Sequence, residues 1–521
     1  MSFRGIALAL ALLVPAAAYS QGYLTGSLES NTVYDDETSS PYHGFHSNNY
    51  LRLDYVKGHF SAGLQGEWYP SPLPGYDLAL KGIGLPIKYI GLNGRSWSIT
   101  LGDFYDQFGS GLVLRSWEDR DLGIANSIGG ARFTGSFCRD RLSLTLLSGA
   151  PRQGLGYAKS LVTGADLNLS LGPLTVGSSL VARTENKPDE DLDTVLNAAH
   201  AGTCIRESIP GTVLMYSGRV QWVKGPFHTK AEVVLKSEDF TAVHNATGSD
   251  SFALEGGRAF TWNFMYSTKR ILASVTYRYL YNMDFAARRT LGTKVLSNTL
   301  NYLPALCKQQ TYMLACLNPY ETYSEGESGF AGSLYYHPSW LKSLSITVGG
   351  SWIDGLGKVL PLRETNYLAY RDIYLDAAYR WSKRLKTNFY VSIQENSPTH
   401  GNRKATNAQN VFVLDGTYKF SKKYSLHTEL QYLYSQELTK DWMAALVEFG
   451  MAPNWSFSIS DMYNHGSTKD HYWNVNASYN SGGFRIMAGY GRNREGMVCS
   501  GGVCRYQPEY KGAFVKVQWM F

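Results

Sequence analysis

The chain has 521 residues and a formal net charge of +6, a balance too mild to indicate a nucleic-acid partner. Aromatic residues make up 14% of the sequence, with 37 Tyr and 52 Gly, yet the mean hydropathy is only -0.24. A helical membrane protein would be far more hydrophobic, whereas strands that alternate apolar and polar residues average to such a value. Composition therefore leaves the β-rich classes: a transmembrane barrel, or a chain of soluble sandwich or propeller domains.

The amino-terminal residues 1–20 predict a secretory signal peptide. Arg4 supplies a positive charge, residues 6–14 form an apolar core, and Ala18-Tyr19-Ser20 is a small-x-small cleavage site. This apolar run is too short to cross a bilayer as a helix, which needs about 20 residues. We expect residues 21–521 to form one barrel, with no separate plug or periplasmic domain.

Segments with a side-chain period of two recur along the chain. Examples lie at 142–146, 271–281, 389–394 and 424–435, where apolar or aromatic residues alternate with polar ones. Such alternation gives each strand a lipid-compatible face and a polar face. Counting these runs between turn signals gives about 24 strands, within a range of about 20–26. The fold class predicted is therefore an all-β, antiparallel up-and-down transmembrane β-barrel with an even number of strands.

The connections between these runs fall into two alternating sets. One set is short and rich in glycine and basic residues: 57–58, 93–95, 223–225, 268–269, 382–384, 421–423 and 481–483. The other set is long and carries acidic clusters at 35–37, 185–193, 238–239 and 321–327. Short turns face the periplasm in bacterial barrels, and long loops face outward. We therefore expect both chain termini to lie in the periplasm.

The carboxyl terminus alternates in the same way and ends on an aromatic residue. Phe521, Trp519, Val517, Val515 and Ala513 share one face of a predicted strand. A terminal strand of this kind resembles the assembly signal of Gram-negative outer-membrane barrels. It predicts insertion by the barrel assembly machinery, contact with outer-membrane lipid and lipopolysaccharide, and an assembly role for Phe521 and Trp519.

Four cysteines lie in predicted long connections. Cys307 and Cys316 share the longest of them, and Cys499 and Cys504 flank a glycine-rich tip. Because the bacterial envelope is oxidising, both pairs are candidate local disulfides.

The other two cysteines are expected on opposite sides of the membrane. Cys138 falls in a short turn and Cys204 in a long loop, so a hydrocarbon layer of about 30 Å would separate them. They should not pair, since bridged Cα atoms lie within about 7 Å. The cysteines lack close histidine partners at zinc-binding spacing, and we expect neither a metal site nor a cofactor.

The stretch from Gly102 to Arg132 is dense in charge. Seven charged residues are candidates for a network: Asp103, Asp106, Arg115, Glu118, Asp119, Arg120 and Arg132. A lysine or arginine facing lipid at the midplane costs about 2–4 kcal/mol, so these residues must face the lumen or lie beyond the membrane. A salt-bridged brace is the favoured interpretation, and a constriction or ligand site is the alternative.

Several stretches together resemble an uncharacterised family of outer-membrane barrel proteins, known as a domain of unknown function. They are Gly-Asp-Phe-Tyr-Asp-Gln-Phe-Gly-Ser-Gly-Leu-Val-Leu-Arg-Ser-Trp-Glu-Asp-Arg at 102–120, Gly-Gly-Ala-Arg-Phe at 129–133, Asn-Tyr-Leu-Arg-Leu-Asp-Tyr at 49–55, and Phe-Ser-Ala-Gly-Leu at 60–64. The resemblance covers essentially the whole mature chain and implies location and fold. It implies no activity.

Transport is the leading functional class. Barrels of 22 strands carry a plugged lumen, so about 24 strands would enclose a hole that must be closed. We expect closure by the loops 184–212 and 284–328, by the charged 103–125 region, or by a plug or lipoprotein partner. The alternative is a barrel subunit of an outer-membrane export or assembly complex.

An outer-membrane enzyme is the weaker alternative. His427 with Glu429, and Asp461 with His465 and Ser467, are residue types that general acid–base or nucleophilic catalysis requires. Polar residues at alternate positions are also what any lumen-facing strand contains. We therefore predict no enzyme activity and assign no catalytic residue.

Overall fold

The computed structural model describes residues 22–185, 210–244, 250–288, 298–356, 367–397, 407–437, 440–500 and 503–521. In these residues the predicted antiparallel barrel is confirmed as a closed ring of 24 strands. The predicted signal peptide at 1–20 lies outside the described residues. No helix in the described ranges is long and apolar enough to cross a membrane.

The wall strands are β1 Tyr23–Asp35, β2 Gly44–Lys57, β3 Phe60–Tyr69, β4 Gly82–Asn93, β5 Trp97–Phe104, β6 Ile128–Phe137, β7 Leu142–Gln153, β8 Ser160–Leu171, β9 Leu174–Glu185, β10 Thr212–Lys224, β11 Phe227–His244, β12 Asp250–Ser267, β13 Ile271–Tyr281, β14 Gly326–Tyr336, β15 Leu344–Gly355, β16 Tyr367–Arg380, β17 Leu385–Asn396, β18 Asn407–Lys419, β19 Tyr424–Tyr434, β20 Trp442–Met451, β21 Trp455–Tyr463, β22 His471–Ser481, β23 Phe484–Asn493 and β24 Tyr510–Met520. Each pairs antiparallel with the next. A 3₁₀ turn at Leu78–Leu80 and short hairpins lie in the connections.

The ring closes where β1 pairs with β24. Their register runs from Ser27 opposite Met520 to Asp35 opposite Gly512. Beyond it, the Gly26 amide donates to the Phe521 carbonyl at 2.8 Å, and the Phe521 amide donates to the Gly26 carbonyl at 2.9 Å. The sheet therefore has no open edge along this seam, as a barrel in lipid requires.

The outer face of the wall is apolar. Ile373 is 65% exposed, Leu430 60% and Ile459 54%, each on the face of its strand opposite to the lumen. Soluble proteins rarely expose contiguous apolar surface, because it is costly in water. This face is that of a barrel of the transmembrane type, in which apolar side chains meet lipid.

The two sets of connections lie at opposite rims. Every one of the seven predicted short turns lies at the rim that holds Tyr23 and Phe521, which we call the short-turn rim. The predicted long connections lie at the other rim, the long-loop rim, except that residues 238–239, expected in a connection, fall within β11. The predicted alternation of connections is therefore confirmed.

Two long connections fold into the lumen. One is segment 105–127, between β5 and β6, and the other is segment 282–325, between β13 and β14. We call their described residues the plug. Both belong to the regions from which lumen closure was expected, whereas most of the 184–212 loop lies outside the described residues.

The close packing of Gly26 at the seam can be tested by substitution. A Cβ at this position would lie 2.5 Å from the Phe521 ring, which also packs against Trp519 with ring centroids 4.7 Å apart. Gly26→Val should reduce the folded, heat-modifiable fraction, since overpacking of this kind costs about 1–3 kcal/mol. Gly218→Val on β10 is the control, because its Cβ would meet nothing within 4 Å. Equal folded fractions for both variants, read from gel mobility before and after boiling, would contradict the closure described here.

Candidate functional site: the plugged lumen and its cavity

The two plug segments are hydrogen-bonded to each other. The Arg115 amide donates to the Leu300 carbonyl at 2.8 Å, and the Tyr302 amide donates to the Gly111 carbonyl at 3.0 Å. The Arg115 guanidinium also lies over the Tyr302 ring, 3.9 Å from its centroid. The segments thus form one structural unit, although they are far apart in the chain.

The plug shares an apolar core with one side of the wall. Phe108, Leu112, Val113 and Leu114 are at most 1% exposed. They pack in a cluster with wall and second-segment residues, which include Val162, Val181, Val213, Met215, Val234, Ala259, Leu280, Met283, Phe285, Leu300 and Leu303. Each such buried side chain contributes about 1.5–3 kcal/mol. Hydrophobic burial therefore holds the plug against β8–β13.

The second segment continues across the lumen to the opposite wall. Leu314 and Leu317 pack against inward residues of β16–β20, including Tyr390 and Trp442. Leu306 and Tyr320 pack against Ile353, Ala369 and Tyr370 on β15 and β16. One segment therefore spans the barrel and contacts both sides of it.

Buried charges fix this segment to the wall. Arg278 on β13 pairs with Glu327 on β14, and Arg278 also donates to the Pro304 carbonyl. The second Glu327 oxygen accepts the Tyr320 hydroxyl and, at 2.9 Å, the Tyr323 amide. Glu327 is fully buried, so these donors compensate its lost hydration. Sequence alone did not single out this group, because 49 residues separate Arg278 from Glu327.

A second buried pair braces the wall near the long-loop rim. Arg152 on β7 donates two parallel hydrogen bonds to the Glu67 carboxylate on β3, at 2.9 and 2.6 Å. The Tyr69 hydroxyl donates to the same carboxylate at 2.7 Å. Removing one partner of such a pair costs about 3–5 kcal/mol. The pair was not predicted, because 85 residues separate its members in sequence.

Part of the predicted charge network comes together in the first plug segment. Arg120 pairs with Glu118 at 3.1 Å and with Glu29 of β1 at 2.8 Å, and it lies over the Tyr50 ring. These carboxylates raise the pKa of Arg120 against the opposing effect of burial, which is the largest influence. Arg120 therefore tethers the plug to the β1–β2 wall.

The remaining predicted charges do not join that group. Arg132 on β6 pairs with Asp106 at 2.5 Å, and Asp119 accepts the local Leu122 amide at 3.1 Å. Asp103 accepts the Tyr157 hydroxyl at 2.8 Å, outside the plug. The seven charged residues therefore make separate contacts, several of them with different strands, and do not form the single network that was expected.

A cavity of about 590 Å³ remains beside the plug. It lies along the inner faces of β1 and β22–β24. Its lining runs from Lys516, four residues from the short-turn end of β24, to Arg505 and Gln507 at the long-loop rim. The cavity therefore extends along much of the wall.

A hairpin caps this cavity. Its strands are Gly496–Ser500 and Val503–Gln507, joined across by a disulfide between Cys499 and Cys504. Arg505 lies 4.3 Å from the Tyr76 ring centroid, and it donates to the Pro74 and Asp121 carbonyls at 3.1 and 3.3 Å. We call Gly496–Gln507 the cap hairpin.

The cysteines divide differently from the prediction. The Cys499–Cys504 disulfide is present, but Cys307 and Cys316 are free, so the bridge expected between them is wrong. Cys307 packs in the Tyr320 cluster, whereas the Cys316 thiol donates to the Gln310 carbonyl at 3.1 Å. Different neighbours hold the two thiols apart. Cys138 is free and exposed in its predicted short turn, and Cys204 lies outside the described residues.

The polar residues considered for catalysis near the long-loop rim contact other partners. Asp461 contacts His471 at 2.8 Å, His465 stacks on Tyr432, and the Ser467 hydroxyl donates to Asn464 at 3.2 Å. These contacts do not assemble Asp461, His465 and Ser467 into a nucleophile–base chain.

His427 and Glu429 are joined by a residue that the sequence did not indicate. His427 Nε2 lies 3.0 Å from Asp415 Oδ1 and 3.6 Å from Glu429 Oε1. Asp415, on the neighbouring strand, faces the lumen with them. Their donor atoms all lie within 4.8 Å of one another, so this group could hold a metal ion.

The plug's stability depends on its apolar core. Phe108→Ala should free segment 105–127 locally, since truncating a buried phenylalanine costs about 3–5 kcal/mol. Trypsin should then cleave at Arg115 in the folded protein. Phe412→Ala, which removes a side chain 43% exposed on the outer wall, should leave cleavage unchanged. Identical digestion of the two variants, analysed by mass spectrometry, would rule out a packed plug.

Burial raises the pKa of Cys316 to about 11 and the pKa of Cys307 above its usual range. At pH 8 both thiols should therefore stay protonated and react slowly with a maleimide, while exposed Cys138 reacts quickly. In a Cys204→Ser background, mass spectrometry should show one label on the native protein and three after unfolding. One label after unfolding would restore the bridge between Cys307 and Cys316.

Comparison with known proteins relates the chain to several solved structures and to one family. No curated protein matches it. The P pilus usher (PapC) translocation pore is 10% identical, with a TM-score of 0.45 over 96% of this chain and 99% of that chain. Pseudomonas aeruginosa OccK8 (OprE) is 10% identical, with a TM-score of 0.41 over 96% of this chain and 98% of that chain. At these values the likeness assigns no activity.

A family model gives a more extensive match. It covers residues 3–521 and is described as a family of unknown function, DUF6029. The resemblance inferred from the stretches at 49–64 and 102–133 is thereby confirmed. The chain belongs to this family of unknown function (DUF6029).

Proposed function

We propose that this protein is an outer-membrane transport barrel that admits small, uncharged polar solutes along the cavity beside its plug. Its termini lie in the periplasm, and its long loops face outward. The cavity between the plug and β22–β24 carries the proposal, because it leads from the short-turn half of the lumen to the cap hairpin. Its volume of about 590 Å³ suits a small molecule.

The lining favours uncharged solutes. Six side-chain amides face the cavity, from Asn31, Gln309, Asn474, Asn476, Asn493 and Gln507. Amides both donate and accept hydrogen bonds, so they can replace the water around hydroxyl or amide groups of a solute. The charges of Asp119 and Asp121 are balanced by those of Arg505 and Lys516. A path with no net charge does not concentrate either sign of ion.

The cap hairpin acts as the gate. Arg505 joins it to the loop that contains Tyr76 and to the plug at Asp121. Breaking these contacts frees the hairpin while the apolar core of the plug, on the other side of the lumen, stays intact. Passage therefore requires movement of the cap and leaves the plug in place.

Single-channel recording from the purified chain tests this gate. Wild-type protein should conduct rarely, and Arg505→Ala should raise the open probability by about tenfold, since hydrogen bonds to a charged group contribute about 1.5–3 kcal/mol. Arg384→Ala, in an exposed short turn, should match wild type. Liposome swelling should then show faster entry of neutral sugars than of charged solutes of similar size.

The competing role is a subunit of an export or assembly complex. Electrically silent wild-type and Arg505→Ala proteins, each purifying from mild detergent with a stoichiometric partner, would contradict the transport proposal and support that role.

A further inference from the structure

Asp415, His427 and Glu429 form a compact group on the lumen side of β18 and β19. Histidine Nε2 approaches one oxygen of each carboxylate, at 3.0 and 3.6 Å. A first-row divalent ion bound at about 2.0–2.2 Å separates adjacent ligand atoms by about 3.0–3.5 Å. The two distances from His427 Nε2 to the carboxylate oxygens are therefore close to those between adjacent ligands of a bound ion.

Neighbouring groups orient both carboxylates. Asp415 Oδ2 accepts the Tyr312 hydroxyl of the plug at 3.2 Å, and Glu429 Oε2 accepts the Gln431 amide at 2.9 Å. The other oxygen of each carboxylate, Oδ1 and Oε1, is left directed at His427. Outer hydrogen bonds of this kind fix ligand orientation in metal sites.

The strand register brings several carboxylates close to one another around His427. Asp415 lies opposite Glu429, and Glu448 lies opposite His427 on the next strand. Carboxylates directly opposite each other destabilise a sheet unless a cation lies between them. A single imidazolium compensates this charge only in part, whereas a divalent cation compensates both carboxylates of the group.

We propose that Asp415, His427 and Glu429 bind a first-row divalent cation, for which Zn²⁺ is the test ion. One imidazole nitrogen and two carboxylate oxygens are ligands that such ions accept, and three protein ligands leave a position for water. The site lies on β18 and β19, outside the lining of the solute cavity, and it does not depend on the proposed transport function. Through Tyr312 it joins the plug to the wall.

The test uses the folded full chain without a histidine tag, stripped with chelator and dialysed. Titration with ZnCl₂ by calorimetry, with metal analysis after gel filtration, should give one Zn²⁺ per chain. His427→Ala and Glu429→Gln should each weaken binding by at least about tenfold, since even outer-shell changes cost 10–100-fold. Cobalt substitution should give visible absorption bands that both variants lose.

His471→Ala is the matched control, because His471 contacts a single carboxylate, Asp461, at 2.8 Å. It should bind zinc as wild type does, and gel heat-modifiability should show that every variant is folded. A folded wild type that binds no zinc would overturn the proposal and leave a His427 salt bridge. Wild-type affinity in both His427→Ala and Glu429→Gln would overturn it equally.

Discussion

The width of the lumen is the constraint on which this structure depends. Every backbone group in lipid must be paired, so the wall closes into a ring from β1 to β24. A ring of 24 strands encloses more space than its own inward side chains fill. The chain meets this constraint with its own long connections. Segments 105–127 and 282–325 enter from the long-loop rim and form a core with the inner wall.

The plug is attached unevenly around the ring. Its apolar contacts lie along β5–β13 and β15–β20 and reach Tyr472 on β22, and the buried Arg278–Glu327 pair fixes the crossing segment between these two arcs. Along β1, β23 and β24 the plug contributes no residue to these apolar clusters, and the cavity lies there. The route proposed for solutes therefore follows the side of the wall that makes the fewest apolar contacts with the plug.

The sequence predicted the wall because lipid imposes a period of two on every strand. The run Tyr424–Tyr434, for example, was recognisable from alternation alone, and the structure makes all of it one strand. Phe521 was recognised as the end of such a strand. Its specific partner, Gly26, was not, because alternation alone does not set the register at the seam.

The plug lacked a comparable signal. Leu112, Val113 and Leu114 are three consecutive apolar residues, which fits neither strand nor helix periodicity and indicates a segment buried on all sides. That run was the available clue to an inward-folded loop. The partners Glu67 and Arg152, or Asp415 and His427, meet only through the barrel's register, which residue spacing does not reveal.

The most direct measurement is the conductance of a chain without the first plug segment. Residues 105–127 would be replaced by a short glycine-serine linker, and single channels would be recorded beside wild type in planar bilayers. The structure predicts brief, small events for wild type and a large, stable pore for the deletion. A wild-type chain that already conducts as a wide open pore, unchanged by the deletion, would contradict closure by the plug.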